Sequence, residues 1–151
     1  MENAANPQGQ VLRVTGYIDG GARGNPGPAA AGVVLRADDG TILHAGGYFL
    51  GRATNNVAEY KGLLHALASA AALGADEIEI VSDSELLVRQ LNGQYRVKNA
   101  GLRPLFNEAQ KLAGRFARFS IRHVRREDNK DADGLVNQAI DARKNVEDAA
   151  R

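Results

Sequence analysis

Four acidic residues stand where a chain most readily builds a site. Asp19 closes a strand-like run at a glycine-rich turn, and Glu59 falls in the first turns of an Ala- and Leu-rich helical stretch. Asp83 ends the strand-like run IEIVS, and Asp133 lies between Ala132 and Leu135 in the last amphipathic stretch. If the first and fourth strands are adjacent and parallel, Asp19 and Asp83 emerge side by side at their carboxyl ends, the edge where α/β sheets place sites. Carboxylates so close repel, and the simplest relief is a divalent cation. Oxygen-only ligands favour Mg²⁺ or Mn²⁺ over zinc, and two such ions about 3.5 to 4 Å apart clamp the entering and leaving oxygens of a phosphoryl displacement. Each acid alone also has a local explanation: an Asx turn for Asp19, a helix-dipole acid for Glu59, an N-cap for Asp83, a solvated acidic run for Asp133. Their joint placement favours the metal reading.

Two further segments have chemistry-bearing spacing. The run DGGARGNPGP lacks the Lys and Ser or Thr of a P-loop and leads into a strand, so it reads as an exposed turn whose backbone can approach a ligand closely. Before the long helix, RATNN offers Arg52, the Thr54 hydroxyl, two amide side chains and unpaired helix N–H groups. That set describes a phosphate cradle and equally a plain N-cap.

The elements that must hold these residues follow from periodicity and turn chemistry. VLRVTGYID, AAAGVVLRA and TILHAGGYFL read as strands, the last two joined by a hairpin at Asp38, Asp39 and Gly40. Thr54 caps a helix from Asn55 to about Leu73 with Val57, Leu64, Leu67 and Ala71 on one face, ending at Gly74. IEIVSD is a buried strand, a helix runs from Ser84 to about Leu91, Pro104 opens another to about Ala113, and FSIRHVR is the last strand. Asp128 or Asn129 caps a final helix carrying Ala132, Leu135, Val136, Ala139 and Ile140. This order implies an α/β domain, with the strand after the long helix returning parallel to the first.

A chain of 151 residues with 44% hydrophobic content makes one domain with a real core. The expected division is a flexible segment over 1–10, the catalytic domain over 11–143 and a frayed tail over 144–151. Cysteine is absent, which excludes disulfides, thiolate zinc sites and cysteine nucleophiles, and the chain reads as cytosolic with no membrane partner. Only 5% of residues are aromatic and none is Trp, so sugar-stacking platforms are disfavoured. The formal charge of +1 hides three blocks: −5 over residues 1–88, +9 from Arg89 to Arg126 and −3 thereafter. Such a chain can present a positive face to a polyanion.

Four segments, YIDGGARGNPGPAAAG, TNNVAEYKGLLHAL, IVSDSELLVRQLNG and HVRREDNKDADGLVNQA, together resemble type 1 ribonuclease H in the family's order, from Tyr17 to Ala139. The resemblance implies a five-stranded mixed sheet, three antiparallel then two parallel strands, flanked by helices. It implies endonucleolytic hydrolysis of the RNA strand of RNA–DNA hybrids with two Mg²⁺ ions, Mn²⁺ substituting, to leave 5′-phosphate and 3′-hydroxyl ends. Asp19, Glu59, Asp83 and Asp133 match the family's metal-binding carboxylates. Gly24, Asn25, Asn55 and Asn56 fall where the family touches the minor groove and the 2′-hydroxyls, and Arg52 and Thr54 resemble its pocket for a DNA-strand phosphate. The hybrid is the implied partner, and the protein is expected to act as a monomer.

The chain departs from the family pattern twice. Where many relatives carry a basic protrusion, VRQLNGQYRVKNAGLRPLF is short, leaving Arg89, Arg96, Lys98 and Asn99 as the basic edge and Lys98 and Asn99 as expected substrate contacts. Many relatives also place a second His in a loop before the last helix; here HVRREDNKDAD crosses directly. His123 matches the strand-end His, and Glu127 or a water is left as the proton carrier. His44 and His65 suggest no role. Competing readings are a glycosidase using a carboxylate pair, a hybrid-binding module that has lost catalysis, and a same-fold nuclease acting on another nucleic-acid structure.

Overall fold

The computed structural model describes residues 10–148. In chain order these form β1 (Arg13–Ala22), β2 (Gly27–Ala37), β3 (Ile42–Ala53), α1 (Asn55–Ala72), β4 (Glu77–Ser82), α2 (Glu85–Leu91), α3 (Arg103–Ala113), β5 (Arg118–His123), a 3₁₀ turn (Arg126–Asp128), α4 (Lys130–Ala142) and β6 (Val146–Asp148). The sheet order is β5-β4-β1-β2-β3-β6. β1, β2 and β3 pair antiparallel, while β4 runs parallel to both β1 and β5, as the sequence implies.

β2 reads as a nearly unbroken buried run because helices cover both of its faces. The larger core lies under α1, α2 and α3, where Ile18, Leu35, Leu63, Leu67, Ile80 and Leu87 meet. On the opposite face α4 packs Val136, Ala139 and Ile140 on Ala30, and Leu135 on Val34 and Ala45. The buried residues of α1 are Ala58, Tyr60, Gly62, Leu63, Ala66, Leu67 and Ala70, so Leu67 lies on the core face as expected whereas Ala71 is exposed. Val57 and Leu64 of the expected face pack partly buried against the same core, and Ala71 falls outside it because an Ala-rich helix does not mark the limit of one face. The Asp38–Gly40 hairpin turn is present, with Gly40 at φ 88°.

A sixth strand is the main departure from the expected architecture. Val146–Asp148 pairs antiparallel with Ala45–Gly47 of β3, in the segment 144–151 expected as a frayed tail. Residues 1–9 and 149–151, covered by the expected flexible end and tail, lie outside the described residues. Among the described residues no helix is long and apolar enough to cross a membrane.

Candidate active site

Parallel pairing sets the first two carboxylates. Ile18 of β1 lies in register with Ser82 of β4, so the next residues on each strand, Asp19 and Asp83, come off the same sheet edge together. Asp83 does not cap α2: Ser84 does, accepting from the Leu87 amide at 3.2 Å. One carboxylate oxygen of Asp83, Oδ2, is buried with no hydrogen-bond partner among the described residues.

Glu59 arrives from α1, whose N-terminus Thr54 caps by accepting from the Val57 amide at 3.2 Å. The helix crosses β1 so closely that a Cβ on Gly20 would lie 2.3 Å from the Ala58 backbone. That crossing sets Glu59 directly over the Asp19–Gly20 bond. One ligand oxygen from each of Asp19, Glu59 and Asp83 lies within 4.8 Å of the other two.

Asp133 comes from the opposite face of the sheet. Its helix is held to β1 by Asn129, which is 2% exposed and donates through Nδ2 to the Ile18 carbonyl at 2.7 Å. Asn129 occupies the N-cap position expected from the sequence, yet its side chain makes no cap bond. It acts instead as a tertiary tie, which the local pattern does not reveal. Asp133 faces Asp19 closely enough to interact with it directly.

The electrostatics show a site short of positive charge. Burial above all, then repulsion from Asp83 and the approach of Asp133, pushes the Asp19 carboxyl up to about 8, against the opposing hydrogen bond from the Gly20 backbone. Burial likewise pushes Glu59 up to about 7, while a hydrogen bond with Ser84 and the charge of Arg126 oppose the rise. An oxygen-only donor set, an orphaned buried carboxylate oxygen and two carboxyls driven toward neutrality together fit a hard divalent cation.

These residues line a cleft of about 600 Å³ that also takes in Arg23, Asn55, Asn56, Arg126 and Asn137. Asn25 sits in the turn beside it, accepting through Oδ1 from the Asn55 amide at 3.0 Å, and the Asn55 Oδ1 accepts from the Ala22 amide at 2.8 Å. Gly24 has φ 97°, a conformation that favours glycine in this turn. Arg52 and Thr54 stand at the end of β3 and the start of α1, beside Asn55 but outside the cleft lining. Lys98 and Asn99 are exposed in the α2–α3 connection, where Asn99 Oδ1 accepts from the Gly101 amide at 2.7 Å.

Neither auxiliary candidate enters the cleft lining. His123 is exposed at the end of β5, and Glu127 pairs with Arg125 at 3.7 Å and lines a separate cavity of about 300 Å³ with Tyr17 and Arg36. The basic group that enters from this segment is Arg126, one of the adjacent pair Arg125 and Arg126, in which nothing local singles one out. His44 and His65 flank Tyr48, which stacks on His65 at 3.9 Å and bonds to His44 Nε2 at 2.5 Å, and none of the three lines the cleft.

Comparison with known proteins agrees with this geometry. A family model described as reverse transcriptase-like matches residues 17–139. Ribonuclease HI of Halobacterium salinarum is 48% identical over 129 residues, 85% of this chain and 65% of that protein. Bifunctional protein Rv2228c of Mycobacterium tuberculosis is 47% identical over 132 residues, 87% of this chain. This chain spans only 36% of that protein, and less than two thirds of either curated relative. The crystal structure of LC11-RNase H1 in complex with RNA/DNA hybrid superposes with a TM-score of 0.82 at 42% identity, covering 86% of this chain and 98% of that one. Sheet order, carboxylate cluster and near-complete coverage at this identity agree, and the chain belongs to the type 1 ribonuclease H family.

Proposed function

We infer that the protein hydrolyses the RNA strand of RNA–DNA hybrids endonucleolytically, using two Mg²⁺ ions held by Asp19, Glu59, Asp83 and Asp133 and leaving 5′-phosphate and 3′-hydroxyl ends. The convergence of Asp19, Glu59 and Asp83 oxygens within 4.8 Å carries this reading. A relative solved with an RNA/DNA hybrid supports the substrate. Ions bound there supply the Lewis acidity that a phosphodiester displacement needs at both the entering and the departing oxygen.

The chain's own groups do the rest. Asn25 and Asn55 spend their side-chain oxygens on backbone amides, which turns their Nδ2 groups outward as donors. Donors at that wall suit the 2′-hydroxyls that distinguish RNA from DNA, and the exposed Asn56 extends the row. Thr54 accepts from Val57 and keeps its hydroxyl proton to give to a phosphate beside Arg52, the pocket assigned to the DNA strand. Arg126 is the cleft-lining cation whose charge acts on Glu59, and it takes the auxiliary place, opposing the charge that builds on the phosphate. The protein acts as a cytosolic monomer in this reading, a placement supported by the absence of cysteine.

Labelled RNA–DNA hybrid, double-stranded RNA and DNA duplex incubated with Mg²⁺, Mn²⁺ or EDTA test it. Only the RNA strand of the hybrid is cut, and only with metal; Asp19→Asn and Asp83→Asn abolish turnover while circular dichroism stays native. Cleavage that persists in EDTA would remove the metal assignment. Hybrid binding without cleavage under any metal would leave a binding module.

A further inference from the structure

The turn after β1 carries a cation to the cleft wall. Arg23 Nη1 contacts Asp141 Oδ1 at 2.6 Å and Nη2 contacts Asn137 Oδ1 at 3.4 Å, both on α4, and Asn137 in turn donates to the Asp133 carbonyl at 3.3 Å. As a staple the ion pair is redundant. The turn is already tied by the Ala22 amide to Asn55, by Asn25 to the Asn55 amide, and by the Arg23 amide to the Pro28 carbonyl at 2.8 Å. With side-chain exposures of 48% and 68%, Arg23 and Asp141 form a pair that water screens and that adds little stability. What the pair does achieve is orientation: it holds a guanidinium fork at the wall of a cleft whose inner end is built for a phosphodiester.

We propose that Arg23 is a phosphate-binding residue for the strand that enters the carboxylate cleft, parked on Asp141 in the free protein and exchanging that carboxylate for a backbone phosphate when the strand arrives. Arg suits the exchange, because carboxylate and phosphate present the same bidentate edge to its fork. Asp141 keeps the cation extended along α4 instead of folding it onto the acidic cluster. The inference rests on the hybrid being the substrate.

Equilibrium binding of a fluorescent RNA–DNA hybrid, with Ca²⁺ in place of Mg²⁺ to prevent turnover, separates the possibilities across a salt series. Arg23→Ala weakens binding about tenfold, the size of one charge-assisted hydrogen bond, and reduces the slope of log affinity against log salt by about 1. Asp141→Asn tightens binding about two- to fivefold by removing the competing partner, and that gain disappears when it is combined with Arg23→Ala. A structural staple predicts the opposite sign for Asp141: weakening equal to that of Arg23→Ala, an unchanged salt slope and a lowered melting temperature. That result, or wild-type affinity and slope in Arg23→Ala, overturns the inference while hybrid cleavage by the wild type stands. A wild-type protein that neither binds nor cuts the hybrid overturns the substrate reading itself, and this inference with it.

Discussion

Asn129 ties the last carboxylate to the first through one hydrogen bond to the Ile18 carbonyl, 111 residues away in sequence. Replacing it with Leu keeps the branched shape but removes the donor to that carbonyl and adds bulk at a buried position, at a cost of about 2 kcal/mol. For a chain of this length the melting temperature falls by about 4–8 °C. Thermal denaturation checks the size, and kcat on the hybrid should fall further than stability alone explains, because α4 loses its anchor beside Asp19. Arg126→Ala acts differently: with the fold intact, it lowers kcat about 100-fold at saturating Mg²⁺, and Arg126→Lys recovers part of it, since the cleft then keeps a cation but loses the fork. At this scale the carboxylates were legible, because strand ends and helix starts announce themselves in hydropathy. Asn129 and Arg126 were not: each looks locally like a cap or a solvated charge, and only the tertiary neighbour gives it a role.

Two helices cross the sheet at the same height on opposite faces, and glycines permit both crossings. A Cβ on Gly20 would meet the Ala58 backbone at 2.3 Å, and one on Gly32 would meet the Ala132 carbonyl oxygen at 2.2 Å. Asp19 is paired in register with Gly32, so α1 brings Glu59 and α4 brings Asp133 to the strand position of Asp19 from either side. Gly32→Ala must push α4 outward, costing about 3 kcal/mol as overpacking does, and a shift near 1 Å at Asp133 costs about 100-fold in activity on top. Denaturant midpoints and kcat measured on the same preparation separate the two losses; a stable, fully active variant would contradict the crossing argument. Element order, the antiparallel first strands and the parallel return of β4 could be read from turn residues, periodicity and the crossover helix, while the direction of β5 followed only from the family resemblance. β6 could not, because three residues, Val146 to Asp148, carry no alternation to detect, and its place depends on the free edge of β3. Asn145 reinforces that edge by accepting from the Phe49 amide at 2.9 Å, and Asn92 does the same for β5 by donating to the Ile121 carbonyl at 3.3 Å.

Over the whole molecule the near-zero charge conceals an acidic cleft set in a chain whose basic residues cluster from Arg89 to Arg126. Without cations, that cleft costs folding energy. Asp19 and Glu59 have folded-state values raised to about 8 and about 7, from ordinary values near 4. A raised acid binds its proton more tightly when folded, so between the two values the native state holds protons that the unfolded chain has released. Stability therefore falls as pH climbs from about 4 to about 8 and levels off above. In EDTA the melting temperature should decline steadily from pH 5 to pH 8, and Asp19→Asn, which removes the largest of these shifts, should raise it at pH 8. Saturating Mg²⁺ should flatten the wild-type profile, because a ligand that binds only the folded state adds most stability where the carboxylates are ionised. If the metal-free profile instead rises between pH 5 and pH 8, the carboxylates are relieved by protein groups alone and the cleft is not short of positive charge.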